Sequence, residues 1–206
     1  MKLWHHLAEQ FCRPTGFVGR VVGFMFRMNR EGIDWTISLL DIQPTDHVLE
    51  IGFGPGHGIE AVAKLVSKGR VAGVDFSPIM VEQATRKNAA VIAAGLVHLE
   101  VGDASNLPYP DESFDKAFAT MVVYFWKDPV ATLREIRRVM KPGGRVAVYM
   151  VSKADMTKFK ATQTGVYRLY MEDELSTLIT QAGFRQVRVL TKLEHQRTGI
   201  CAIAEK

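Results

Sequence analysis

Cysteine is nearly absent: Cys12 and Cys201 are the only two in 206 residues, and no CxxC spacing occurs. A disulfide framework and a structural zinc site are therefore excluded, and a reducing cytoplasm is the expected compartment. Long apolar runs are missing as well. No stretch approaches the roughly 18 to 20 residues that cross a bilayer. The greasy segment from Gly16 to Phe26 is broken by Arg20 and followed by no small-residue cleavage site, so a signal peptide is not expected. Charge of one sign is also scarce. Lys and Arg number 26 against 22 Asp and Glu, a net charge of +4 with no basic run, which argues against nucleic acid as a partner. No His, Cys and carboxylate cluster stands at metal-ligand spacing, so no metal is expected. Repeats and low-complexity linkers are lacking too, and 206 residues fit one domain.

What is present is an alternation. Short β-branched runs at Val48–Ile51, Val71–Val74, Val97–Val101, Phe114–Thr120 and Arg145–Val151 are separated by helical patterns. The first helix carries Ile59, Val62, Ala63 and Val66 and stops at Gly69. The second opens at Ser77-Pro78, with Ser77 as N-cap, and closes at Gly95. Another opens at Asp128-Pro129 with Leu133, Ile136 and Met140 on one face. A helix over 172–182 precedes two final strands, 186–193 and 200–205, which have no helix between them and must form an antiparallel edge hairpin. The expected fold class is α/β, a Rossmann-like seven-stranded sheet, mostly parallel with an antiparallel C-terminal strand and helices on both faces. Residues 1–45 lie outside the alternation and read as an N-terminal helical cap.

The chemistry concentrates at three strand ends. Val48-Leu49-Glu50-Ile51-Gly52-Phe53-Gly54-Pro55-Gly56-His57-Gly58 runs from a strand through a glycine-rich turn into a helix. Such a turn lets a ligand approach the backbone and aims helix-terminal amides at an anion. The dinucleotide fingerprint GxGxxG would need glycine at position 57, where His57 stands. Asp75 ends the second strand, 19 residues beyond Gly56, where an acid can accept from both hydroxyls of a ribose. Gly102-Asp103-Ala104 ends the third strand, where a side chain and the next amide can read an adenine edge. Open α/β sheets bind ligands at these carboxyl ends.

Leu49–Gly56 resembles motif I of the class I S-adenosylmethionine (SAM)-dependent methyltransferases. Asp75 with Phe76-Ser77-Pro78-Ile79-Met80 is similar to their second motif. Gly102-Asp103-Ala104, followed by Leu107–Asp115, is similar to the third, and Leu133–Gly144 resembles the helix and turn before their fifth strand. The resemblance implies SAM as cofactor and S-adenosylhomocysteine as product. It implies that Gly52, Phe53, Gly54 and Gly56 line the methionine part of SAM while Glu50 holds the loop. Asp75 would bind the ribose, Phe76 and Met80 would sandwich the adenine, and Asp103 with Ala104 would read its edge. Met121 stands where this branch often has Asn, which leaves its backbone carbonyl to serve the SAM amino group. On the same basis residues 46–151 form the SAM-binding core, and 152–206 hold a substrate-wall helix and the hairpin.

The acceptor is expected to be a small molecule methylated by in-line displacement. The Asn/Asp-Pro-Pro-Tyr/Phe signature of family members that methylate exocyclic amines of bases or glutamine is absent after the fourth strand, and both cysteines lie far from the place a cytosine-C5 nucleophile would occupy. Tyr124 and His57 are the candidate bases; His5, His6, Phe125, Trp126, Tyr167 and Tyr170 are candidate substrate-pocket residues. Arg13, Arg20 and Arg27 recur every seven residues among Phe17, Val21, Phe24, Met25 and Met28. That pattern reads as a cap helix roofing the pocket, with peripheral membrane contact or a dimer contact as alternatives. A monomer or a homodimer fits equally. Two rival functions remain: a non-catalytic SAM-fold binding protein and a nicotinamide-dependent oxidoreductase.

Overall fold

The computed structural model describes residues 2–15 and 30–206. Of the seven-residue arginine pattern only Arg13 is among them; Arg20, Arg27 and the interleaved Phe17, Val21, Phe24, Met25 and Met28 lie outside the described residues.

Seven strands form one sheet: β1 (His47–Ile51), β2 (Arg70–Asp75), β3 (Val97–Val101), β4 (Phe114–Thr120), β5 (Met140–Val151), β6 (Arg185–Glu194) and β7 (Arg197–Glu205). Their order is β3-β2-β1-β4-β5-β7-β6, and only β7 runs against the rest. The buried stretches of the middle strands are mostly apolar, with Glu50 of β1 the charged exception. Val48, Leu49, Ala117, Phe118 and Val146 to Val151 are all buried, as a strand covered on both faces requires. The edge strands β3 and β6 are largely exposed or half-buried instead, each with one buried residue.

Among the described residues there are eight α-helices, α1 (Lys2–Cys12), α2 (Arg30–Leu39), α3 (His57–Ala63), α4 (Pro78–Lys87), α5 (Ala89–Ala93), α6 (Pro129–Val139), α7 (Lys153–Met156) and α8 (Glu172–Gln181), and two 3₁₀ turns, Val123–Phe125 and Lys160–Thr164. Helical crossovers carry the chain from β1 outward to β3 on one side and from β4 to β5 on the other, and crossovers of the usual right hand in these two directions put helices on both faces. The order reverses between β1 and β4, so their carboxyl ends diverge and open a crevice. Leu133, Ile136 and Val139 bury the inner face of α6, and Ile59 and Val62 that of α3.

Three local expectations are corrected. The helix expected from Ser77 to Gly95 is two helices broken at Asn88, whose backbone leaves helical geometry at φ −104° and ψ 19°. There the Asn88 side-chain amide donates to the carbonyls of Gly56 (3.1 Å) and Ala84 (2.9 Å). Met140, expected on a helix face, begins β5 instead, pairing with Phe114 before the register resumes at Lys116 and Arg145. Ser77 precedes α4 as predicted, but its hydroxyl does not cap the helix; it donates to the carbonyl of Pro14 at 2.9 Å.

The helices of the N-terminal region pack where the sheet needs cover. Ile33, Ile37 and Leu40 of α2 and its continuation are buried over β4 and β5. Gly32 lies flat on the ring of Tyr149, where a Cβ would come within 2.5 Å of Cζ. After α1, Gln10 and Thr15 exchange two hydrogen bonds, at 3.0 and 2.9 Å, which folds the chain back across the β2–α4 turn.

Candidate functional site

The crevice holds a cavity of about 430 Å³ at the carboxyl ends of β1, β2 and β4. One wall is the loop after β1. Gly52, Gly54 and Gly56 have φ of 66°, 52° and 80°, the left-handed region that glycine enters without cost. Gly52 also admits Val122, whose Cγ1 would lie 2.5 Å from a Cβ at that position, whereas the space above Gly54 is open. A ligand can therefore reach the Gly54 backbone.

The Asp75 carboxylate ties this loop to the next. Its Oδ2 accepts from the Gly54 amide at 2.8 Å and its Oδ1 from the Ser77 amide at 2.9 Å. Burial pushes this acid up to about 6, and the two amides pull the other way. Beneath the loop sits Glu50, almost wholly buried. Its carboxyl lies under the first turn of α3, held well above the usual range by burial and then by the neighbouring charge of Asp75, with the Ile59 amide opposing. Among the described residues Oε2 of Glu50 has no hydrogen-bond partner.

Asp103 is exposed and lines the cavity beside Ala104 and Ser105. The amide and hydroxyl of Ser105 both donate to its Oδ1 at 2.8 Å, and these bonds hold its pKa below the usual value. Met121 follows β4 with φ 62°, a conformation rare for a side chain of its shape, and lines the cavity.

Of the residues singled out in the sequence, the structure brings Gly52, Phe53, Gly54, His57, Asp75, Phe76, Met80, Asp103, Ala104, Met121, Phe125 and Trp126 to this cavity. It does not bring there Glu50 and Gly56, which shape the loop from behind. Gly56 packs on Ala84 and Asn88. Tyr124 is fully buried away from the lining. Its hydroxyl accepts from the Val151 amide at 2.7 Å and lies 3.1 Å from the Val151 carbonyl, and burial raises its pKa. Tyr167 stands behind Phe125, ring centroids 4.7 Å apart, and Tyr170 is buried beside Arg168. His5 and His6 lie on the exposed side of α1, facing Glu9 at 3.5 and 3.8 Å. The part of the N-terminal region that does reach the cavity is Phe11, Cys12 and Pro14, with Ile33 from α2. His5 and Cys12, seven residues apart, fall on the same face of α1, so the last turn of the helix rather than one of its faces reaches the cavity, and residue periodicity alone does not separate them.

His57 is buried at the start of α3 and lines the cavity; the Arg30 guanidinium approaches its Nδ1 at 3.3 Å. Phe76 carries the Arg13 guanidinium over its ring, 5.0 Å from the centroid.

A family model described as a methyltransferase domain matches residues 49–148. The uncharacterized methyltransferase YdaC of Bacillus subtilis is 28% identical over 188 residues, which is 90% of this chain and 98% of that protein. The ubiquinone/menaquinone biosynthesis C-methyltransferase UbiE of Geotalea daltonii is 30% identical over 145 residues, 70% of this chain, and the alignment spans only 61% of that enzyme's length. A solved SAM-dependent methyltransferase from Aquifex aeolicus superposes with a TM-score of 0.67 at 24% identity, covering 83% of this chain and 88% of that one. The matched span runs from the glycine loop after β1 through Asp75 and Asp103 into β5, and the chain belongs to the class I S-adenosylmethionine-dependent methyltransferase family.

Proposed function

We propose that the chain transfers the methyl group of SAM to a small, apolar or aromatic acceptor. The observation that carries this reading is a single cavity whose walls join the glycine loop, Asp75 and Asp103 to an apolar side made by Phe11, Ile33, Val122, Phe125 and Trp126. A cavity of about 430 Å³ is of the size that takes a nucleoside-sized ligand. The open backbone at Gly54, the acid at the end of β2 and the second acid after β3 suit a charged amino-acid end, a ribose and an adenine in that order.

In this reading Gly52, Phe53 and Gly54 hold the methionine end and Met121 offers its backbone carbonyl to the amino group. Asp75 accepts from the ribose, Phe76 and Met80 face the adenine, and Asp103 with Ala104 reads its edge. Glu50 and Gly56 act on the loop and touch no ligand. The cofactor supplies an electrophilic methyl group on a positively charged sulfur. The protein's part is to align the acceptor and to exclude water, and the rings of Phe125 and Trp126 tolerate a nearby cation.

Neither candidate base has a free position for the task. Arginine has only donors, so Nδ1 of His57 accepts from Arg30 and the ring proton rests on Nε2. The Tyr124 hydroxyl is spent on Val151. An acceptor that ionises readily, such as a phenol or an enol, fits a site of this kind; the Geotalea relative is named for quinone biosynthesis.

Calorimetric titration with SAM, S-adenosylhomocysteine and NAD tests the cofactor half, with micromolar SAM binding and none of NAD expected. Release of S-adenosylhomocysteine over a panel of phenols, quinols and amines tests the acceptor half. Trp126→Ala should raise the acceptor KM about tenfold or more while leaving SAM affinity within a few fold. Tighter binding of NAD than of SAM would overturn the reading.

A further inference from the structure

Large apolar side chains are exposed at nine places among the described residues, and three of them, Leu3, Trp4 and Phe159, belong to α1 or directly precede the 3₁₀ turn on which it packs. Leu3 and Trp4, in the first turn of α1, are 75% and 40% exposed, and Phe159 is 56% exposed. Phe159 directly precedes the 3₁₀ turn Lys160–Thr164, against which α1 packs. Lys160 Nζ lies 5.9 Å from the centre of the Trp4 ring. The surroundings are basic. Residues 153–164 carry Lys153, Lys158 and Lys160 against one acid, Asp155, which pairs with Lys158 at 2.6 Å. The single acid of α1, Glu9, faces His5 and His6.

An apolar tip with an aromatic ring, bordered by lysines whose stems extend from it, is the chemistry of an interfacial anchor. An exposed patch on a soluble surface marks a contact of some kind, and the lysines select an anionic one. We propose that the first turn of α1 and the Phe159–Lys160 corner dock together on an anionic lipid bilayer. The opposite end of the same helix, at Phe11 and Cys12, lines the cavity. Eleven helical residues span about 16 Å, so docking would hold the cavity mouth about that far from the lipid surface. That the route serves a lipophilic acceptor rests on the acceptor reading above; the docking itself does not.

Flotation of the full chain with vesicles tests this, using pure phosphatidylcholine and an equal mixture with phosphatidylglycerol. Binding is expected to the anionic vesicles only, and to fade as salt is added. Lys158→Gln and Lys160→Gln should each lower the partition coefficient about fivefold, and Phe159→Glu should abolish binding. Leu193→Glu, an equally exposed leucine on the distant hairpin at 73%, should change nothing. Melting curves and SAM titration of each variant should match the unmodified protein, which keeps this test separate from the cofactor and acceptor readings. Equal binding to neutral vesicles, no binding to either, or equal loss in Leu193→Glu overturns the proposal. So does a dimer that Phe159→Glu splits while vesicle binding is absent, since the patch would then belong to a second copy.

Discussion

A Cβ on Gly58 would lie 2.3 Å from Oε1 of Glu50, so the first turn of α3 rests directly on that buried carboxyl. The glycine is needed here for space, since the contact is with a side chain that the fold has nowhere else to put. Gly58→Ala should therefore cost about 1 to 3 kcal/mol, the range for overpacking. Glu50→Ala in the same chain should relieve part of it. A double-mutant cycle by urea unfolding measures the coupling, and additive losses would separate the two residues.

The Asp75 carboxyl titrates near 6 in the folded protein against 3.8 in the ordinary acid, lifted chiefly by burial. An acid with a raised folded pKa favours folding while it is protonated. Its contribution is whole below the unfolded value and disappears as pH rises through 6. Asp75→Asn, neutral throughout, should thus gain on the unmodified protein between pH 4 and pH 8, by on the order of 1 to 3 kcal/mol. Urea unfolding at several pH values reads this, and a pH-independent difference counts against it. Cofactor affinity should run the other way if Asp75 binds the ribose as proposed, since the ionised form is the better acceptor. Titration should show SAM affinity falling as pH drops through 6.

Tyr124→Phe removes a hydroxyl that accepts from the Val151 amide at 2.7 Å in a fully buried place. We expect a loss of about 1 to 3 kcal/mol in stability, the usual result of orphaning a buried partner. Methyl transfer should persist at comparable kcat. A collapse of kcat with an intact fold and unchanged melting would make Tyr124 a participant in the chemistry.

Met121 holds φ 62° where asparagine is at ease and methionine is not. Met121→Asn should raise stability by about 0.5 to 1 kcal/mol, after loss of the sulfur's contact with Tyr124 at 3.7 Å. Calorimetric melting checks the sign, and a lower Tm would mean that the methionine's packing outweighs its backbone strain.

The alternation of apolar runs was enough to read the sheet, because strands covered on both faces must be apolar along their whole length, as Val146 to Val151 are. The strand-end acids were legible from their place: Asp75, which is buried, and Asp103, which is exposed, each follow a β-branched run at the carboxyl edge of the sheet, where such folds bind ligands. What the sequence did not disclose depends on contacts between distant segments. Asn88 breaks a helix because Gly56, 32 residues away, offers a carbonyl. The aromatic and histidine residues of the extension could not be sorted by local pattern. His5 and His6 turn out to face solvent while Phe11, Cys12 and Pro14 face the cavity, a choice made by how α1 packs on the Lys160 turn. Tyr124 misled for the same reason, since its hydroxyl is claimed by a strand 27 residues onward.

The fully buried hydroxyl of Ser77 gives its hydrogen bond to Pro14, 63 residues earlier, and leaves its own helix uncapped. Trimming the chain to begin after Pro14 would strand that hydroxyl next to Phe76, on the wall proposed to face the adenine. A shortened protein made for crystallisation or engineering would then carry a defect at the cofactor wall, and any weakness in its SAM binding would come from the cut rather than from the domain. Pairing such a truncation with Ser77→Ala would remove the stranded group and separate the two effects.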